Sequence, residues 1–220
     1  VDEYARLREC IVELWEQSRD GQISLSSSTR PLHRALDQAI SESVDHYVAL
    51  RDRTLKALDG VSAAAFESSA LDELLRRLLD VFLATMPAVQ TCAILLCEGD
   101  RVRVRAAVGL EEEVEQSVRI PLGQGFAGRI AADRRPVVLE EIDLDHVVNP
   151  ILTEKGIRSM LGVPLLIDGH PIGVLHVGTL TPHVFTPSDV ELLELAAGRA
   201  AIAIEHARLY EAERKARQRL

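Results

Sequence analysis

The chain has 220 residues, enough for one medium-sized domain plus an extension, and its 47% hydrophobic content suffices for a packed core. A formal net charge of -9 and a 4% aromatic content exclude the basic field and base-stacking surface of a nucleic-acid binder. No apolar run nears the roughly 18 residues of a membrane-spanning helix, and no basic segment followed by an apolar core opens the chain.

Cys10, Cys92 and Cys97 form no C-x-x-C and no paired Cys/His spacing, so the chain reads as cytosolic and reduced. It opens in a helical pattern and ends on charged helix, as a piece cut from a longer protein would. Tyr4, Leu7, Ile11 and Leu14 recur at helical spacing, and QISLSSSTRP interrupts them. A longer helix is expected from Pro31, a favoured first helical residue, carrying Leu32, Leu36, Ile40, Val44, Tyr47, Leu50, Leu55 and Leu58 up to Gly60. Ser69, with Asp72 three residues on, predicts a capping box that opens the next helix through Leu71, Leu74, Leu75, Leu78, Leu79, Phe82 and Leu83. Pro87 ends that helix, whose apolar face is wide enough to pack on a sheet.

From Thr91 the period becomes that of strands. TCAILLCE and RVRVRAAVG flank the turn Glu98–Asp100, and the second run alternates arginines with Val102, Val104 and Ala106, one wet face and one buried. SMLGVPLLI and PIGVLHVGTL flank Asp168-Gly169, a strong tight-turn dipeptide, and predict a second antiparallel hairpin. A last helix is expected from Pro187, with Leu192, Leu193, Leu195, Ile202 and Leu209. The pattern is α+β with an antiparallel sheet.

Between the hairpins lies a complete G-x-G-x-x-G at Gly123, Gly125 and Gly128. A dinucleotide fold needs a buried parallel strand feeding those glycines and a helix long enough to cross back over the sheet. Here only VRIPL precedes them, and the short helix after them ends in ADRR before Pro136. The structural alternative is that Gly123 and Gly125 make a tight loop and Gly128 permits close helix packing.

Three stretches in order, PLGQGFAG at Pro121–Gly128, the hairpin unit from Val163 to Leu175, and FTPSDVELL at Phe185–Leu193, resemble the GAF domain family from about Ala70 to Tyr210. The resemblance implies a GAF/PAS-like antiparallel sheet flanked by helices. With it the chain divides into a helical N-terminal extension over residues 1–60, a GAF domain over 61–210 and the start of a C-terminal signalling helix over 211–220. It also implies a small-molecule pocket under the glycine-loop helix and the segment DLDHVVNPILTEKGIRS. Phe126, His146, Val147, Ile151, Met160 and His176 are its candidate lining residues.

Ligand subclasses of the family fit poorly. Gly178-Thr179 stands where cyclic-nucleotide binders carry Asn-Lys, and Val190 follows Asp189 where they carry Glu; Phe185 and Asp189 read instead as the entry and cap of the last helix. Cys92 and Cys97 lack the neighbouring histidine of bilin-binding members, and the loop and lid lack the cysteines of sulfoxide-reducing ones. His176 is the best candidate for a haem or iron ligand, but it has no second ligand at metal spacing and reads first as a core histidine. The acidic runs Glu111–Glu113 and Glu140-Glu141 are expected to solvate surface edges. No catalytic constellation, metal site or particular cofactor is assigned.

Leu195, Ile202, Leu209 and Ala216 repeat every seven residues among charges, as in a dimeric helix bundle. The segment LHRALDQAISESVDHYVALRDRTL resembles the helical input region of RsbR-type and related sensor-kinase proteins. Together these imply a bacterial, cytoplasmic, homodimeric sensor module that relays a ligand or partner signal to a C-terminal output domain, a histidine kinase of a two-component system. The alternative is a ligand-free scaffold, which predicts Phe126, Met160 and His176 packed together with no room for a guest.

Overall fold

A computed structural model of the chain describes residues 25–68, 70–142 and 149–218. The chain divides into two compact units, Val1–Ala49 and Leu50–Leu220. The expected helix over Tyr4–Leu14 lies outside the described residues. In the first unit the described part is the front of helix α1 (Leu25–Glu67), where Ile40, Val44, Tyr47 and Val48 are exposed and Gln38 Nε2 donates to Glu42 Oε1 one turn on, at 2.9 Å. Pro31 falls in the second turn of α1 and not at its first residue.

The second unit is built on one six-stranded sheet in the order β3-β2-β1-β6-β5-β4, every pairing antiparallel. Its strands are β1 (Thr91–Glu98), β2 (Arg101–Val108), β3 (Arg119–Pro121), β4 (Val137–Leu139), β5 (Ser159–Ile167) and β6 (His170–Thr179). Both expected hairpins are present, β1–β2 and β5–β6, the latter turning through Asp168 and Gly169 with φ of 49° and 76°. One face carries α2 (Leu71–Thr85), α6 (Pro187–Arg217) and the last turns of α1; the other carries α3 (Glu111–Glu115), α4 (Gly125–Asp133) and α5 (Pro150–Glu154).

Covering both faces explains why β1 is apolar along its length. Cys92, Ile94 and Leu96 enter the core under α2 and α6, whereas Ala93 and Leu95 enter the core under α4. In β2 the simple alternation fails. Ile94 pairs with Ala106 but Leu95 pairs with Val104, so Arg105 is an extra residue, a β-bulge. The bulge sends Ala106 to the α2 side while Val102 and Val104 stay on the α4 side, and it aims Arg105 at Asp72 of α2, 3.0 Å away.

The helical face is almost wholly apolar. Leu74, Leu75, Leu78, Leu79 and Phe82 of α2 are sealed from solvent, and α6 presents Ala196, Ala197, Ala200 and Ala201, whose small side chains let the helix lie close on the sheet. Helix α1 does not stop at Gly60. It continues to Glu67 because a Cβ there would stand 2.8 Å from Val81 Cγ1; the glycine lets α1 press against α2, and Ala57, Val61 and Ala64 are buried around it.

The helix ends are pinned by side chains. Asp189, expected as the cap of α6, forms it together with Thr186, which holds the N-cap position, as a reciprocal box: Asp189 N donates to Thr186 Oγ1 at 3.2 Å and Thr186 N to Asp189 Oδ2 at 3.0 Å. Arg53 of α1 adds Nη2 to Asp189 Oδ1 at 3.1 Å and Nε to the Thr85 carbonyl at 3.3 Å, the end of α2. Burial pushes the Asp189 carboxyl up, but the Thr186 bonds and Arg53 outweigh it and hold the group below the usual range. Ser69 of the predicted Ser69–Asp72 box lies outside the described residues. Ala70 holds the cap position of α2, Asp72 is taken by Arg105, and the Leu71 N–H is satisfied from a distance by Glu211 Oε1 of α6 at 2.9 Å.

Candidate functional site

The glycine motif has a structural job at each position. Gly123 and Gly125 take φ of 80° and 57°, a region that L side chains rarely enter, and Gly123 N donates back to the Gly128 carbonyl at 2.8 Å. At Gly128 a Cβ would sit 2.1 Å from the Pro121 carbonyl oxygen, so only glycine lets α4 fold back against β3. The loop seats α4 on the sheet. Phe126 and Ile130 point inward above Gly162 of β5, where a Cβ would stand 2.4 Å from Ile130 Cδ1 and 2.8 Å from Phe126 Cε1.

Under α4 lies an enclosed cavity of about 10 Å³ lined by Leu95, Glu113, Ile120, Phe126, Ala127, Asn149, Leu152 and His176. The space matches about one water-sized sphere. Of the expected lining residues, Phe126 and His176 meet there, their rings edge to face with centroids 6.0 Å apart. Ile151 and Met160 are buried in the surrounding apolar cluster, while His146 and Val147 lie outside the described residues.

Glu113 corrects the expectation of a solvated acidic run. Glu111 is exposed and Glu112 half-buried, paired with Lys155 at 2.6 Å, but Glu113 is only 2% exposed. Helical phase was the available signal: Glu113 stands three residues after Leu110, which is sealed from solvent, so α3 turns it inward. Glu140 and Glu141 are exposed, as expected.

Three polar side chains thus line one small apolar cavity: Glu113, Asn149 at 6% exposure and His176 at 3%. Asn149 has two tasks. Its Nδ2 donates to Glu113 Oε1 in a short bond, and its Oδ1 accepts from Ile151 N at 3.2 Å, capping α5. Glu113 Oε2 and His176 Nδ1 have no hydrogen-bond partner. Burial pushes Glu113 up to about 7, a rise that the Asn149 bond opposes and the Glu112 charge assists. Burial also pushes His176 down to about 4, so its ring is neutral near pH 7. Among the described residues no group of three His, Cys, Asp or Glu gathers to hold a metal ion, and no helix is long and apolar enough to cross a membrane. Cys92, buried in β1, has its thiol pushed well up by burial alone.

A sheet with long helices on one face, and a glycine-loop helix closing a small site on the other, defines an α+β architecture of known kind. A family model for the GAF domain matches residues 68–205, and the chain belongs to that family. Its fold is similar to the GAF domain of a phosphoenolpyruvate-protein phosphotransferase from Coxiella burnetii, with a TM-score of 0.65 at 22% identity over 73% of this chain and 97% of that one. It is also similar to a domain of a putative two-component sensor histidine kinase from Sinorhizobium meliloti 1021, with a TM-score of 0.53 at 23% identity over 67% of this chain and 99% of that one. In sequence it is 26% identical to the Nif-specific regulatory protein of Herbaspirillum seropedicae over 162 residues, 70% of this chain. It is 28% identical to the probable 3',5'-cyclic phosphodiesterase pde-5 of Caenorhabditis elegans over 124 residues, 55% of this chain. The matched stretches span 30% of the length of the regulator and 16% of that of the phosphodiesterase.

Proposed function

We propose that this chain is a sensory module that pairs with a second copy through helix α6 and relays occupancy of the cavity under α4 to an output domain. A histidine kinase of a two-component system is the output proposed, working in the cytoplasm of a bacterium. The observation that carries the reading is the outer face of α6: Leu195, Ile202 and Leu209, seven residues apart, are 48%, 52% and 59% exposed. Near Ile202, Phe66 at the end of α1 is 94% exposed and extends this apolar patch. Arg199, which shares that side of α6, is occupied within the chain, donating to Ser62 Oγ at 2.9 Å, so the apolar residues are left for the partner. The name of one relative, a Nif-specific regulatory protein, supports the regulatory part.

Differential affinity of a guest for two arrangements of α5 and the helices would bias the output. Ile202→Glu is expected to convert a dimer to a monomer in sedimentation velocity; an unchanged profile would remove the α6 interface. A second reading is the ligand-free scaffold, favoured by the cavity's size and by the Phe126–His176 contact. Native mass spectrometry separates the two, since a sensor retains a small mass that denaturation releases and a scaffold gives the bare dimer.

A further inference from the structure

The site face contains a feature that a purely structural core does not need. Glu113, Asn149 and His176 are all more than nine-tenths buried and all line the same cavity, whose other walls are Leu95, Ile120, Phe126, Ala127 and Leu152. Two of their polar atoms, Glu113 Oε2 and His176 Nδ1, are buried without a partner among the described residues. A buried carboxylate oxygen left unpaired is costly, and unsatisfied buried groups are rare enough in folded proteins to need an explanation.

We infer that the cavity is the head-group subsite for a small molecule bearing a primary ammonium, which Glu113 and His176 recognise as acceptors. The inference rests on the sensor reading given above and adds the chemical class of the guest. Above about pH 7, where Glu113 is ionised, its carboxylate accepts hydrogen bonds and donates none, and a neutral imidazole has one acceptor nitrogen, so the pair is matched by a donor with several N–H groups. An ammonium carries three such donors and a charge that compensates the carboxylate, whereas an anionic head would be repelled by it and leave both acceptors unpaired. The space in the present arrangement admits a group of about one water's size, hence the head alone. The guest's body must be short and apolar, because it has to displace Leu152 of α5 against the apolar wall. Asn149 fits the role of positioning residue, since it holds Glu113 Oε1 and the first turn of α5 at once.

The test is an NMR titration of the full chain at pH 8, following the Asn149 side-chain amide and the His176 ring, with three probes of equal shape: propylamine, propanol and propionate. Propylamine is expected to give saturable shifts at both residues, propanol to bind at least tenfold more weakly, and propionate to shift neither. In Glu113→Gln propylamine should lose at least tenfold in affinity and propanol should be unaffected. The probe series on the unaltered chain stands even where the variant folds poorly. Propionate or propanol binding as well as propylamine, or equal binding by Glu113→Gln, would overturn the proposal. So would silence from all three probes, which would assign the two atoms to a resident water. An acidic guest retained in native mass spectrometry would remove this inference and leave the sensor reading intact, whereas a bare dimer with no probe binding would remove both.

Discussion

The two faces of the sheet use burial differently. Under α2 and α6 the core is a large, continuous apolar cluster rich in leucine and alanine, and ion pairs such as Arg53–Asp189 and Arg105–Asp72 sit at its rim. Under α4 the apolar cluster is smaller and encloses a carboxyl, an amide and an imidazole, two of them incompletely paired. Hydrophobic burial contributes most where nothing polar intrudes, so the α4 face, which buries these polar groups, gains less stability from its core than the helical face does. Strands β1 and β6 belong to both faces, with Ile94 and Leu175 on one and Ala93 and Val174 on the other.

The comparison breaks most severely on the helical side. Leu78→Ala, at a position with no solvent exposure, is expected to lower unfolding free energy by about 3 kcal/mol in urea titration while leaving the propylamine response of the site unchanged. Equal damage to both readouts would mean that the faces are not separable.

A sharper contrast comes from pH on the α4 side. Glu113 keeps its proton to about pH 7 in the folded chain against an ordinary value of 4.5. The folded state therefore binds more protons in that window, and stability falls as pH rises through it, by about 3 kcal/mol in total. His176 has the opposite sign. Its folded value of about 4 lies below the ordinary 6.5, so its contribution is intact above 6.5 and is lost as pH falls toward 4, again by about 3 kcal/mol. The two slopes oppose each other across the shared window. Relative to the unaltered chain, Glu113→Gln should make stability rise more steeply with pH from 4.5 to 6.5, and His176→Gln should make it fall. Urea midpoints at three pH values across that range decide the matter, and slopes of the same sign in both variants would contradict it.

The smallest expected effect tests how the helical face is fastened. Glu211→Ala should cost about 1 kcal/mol or less, because it frees one N–H at a partly exposed helix start. Faster amide hydrogen exchange at Leu71, with the site face unaffected, is the measurement.

Local chemistry made much of this legible. The glycine loop, both hairpins, the capping role of Asp189 and the apolar face of α2 follow from residues that interact within a few positions of each other. What was illegible depends on contacts between distant parts of the chain. Gly60 looks like a helix end until Val81 is known to press on it, and nothing near Leu71 in sequence announces that Glu211 reaches its N–H from 140 positions away. The bulge at Arg105 is visible only once β1 supplies the register. In the site, Phe126 and His176 were readable as inward-facing, but Glu113 sat in an acidic run whose average hid its helical phase. Asn149 gained meaning only from Glu113 across 36 positions.

Arg53 has a wider consequence than its two hydrogen bonds suggest. One guanidinium joins α1 to the final carbonyl of α2 and to the carboxylate that starts α6. The three helices are therefore joined by one side chain, independently of the sheet. A shift of α1 at that point thus reaches the first turn of α6 without passing through the sheet.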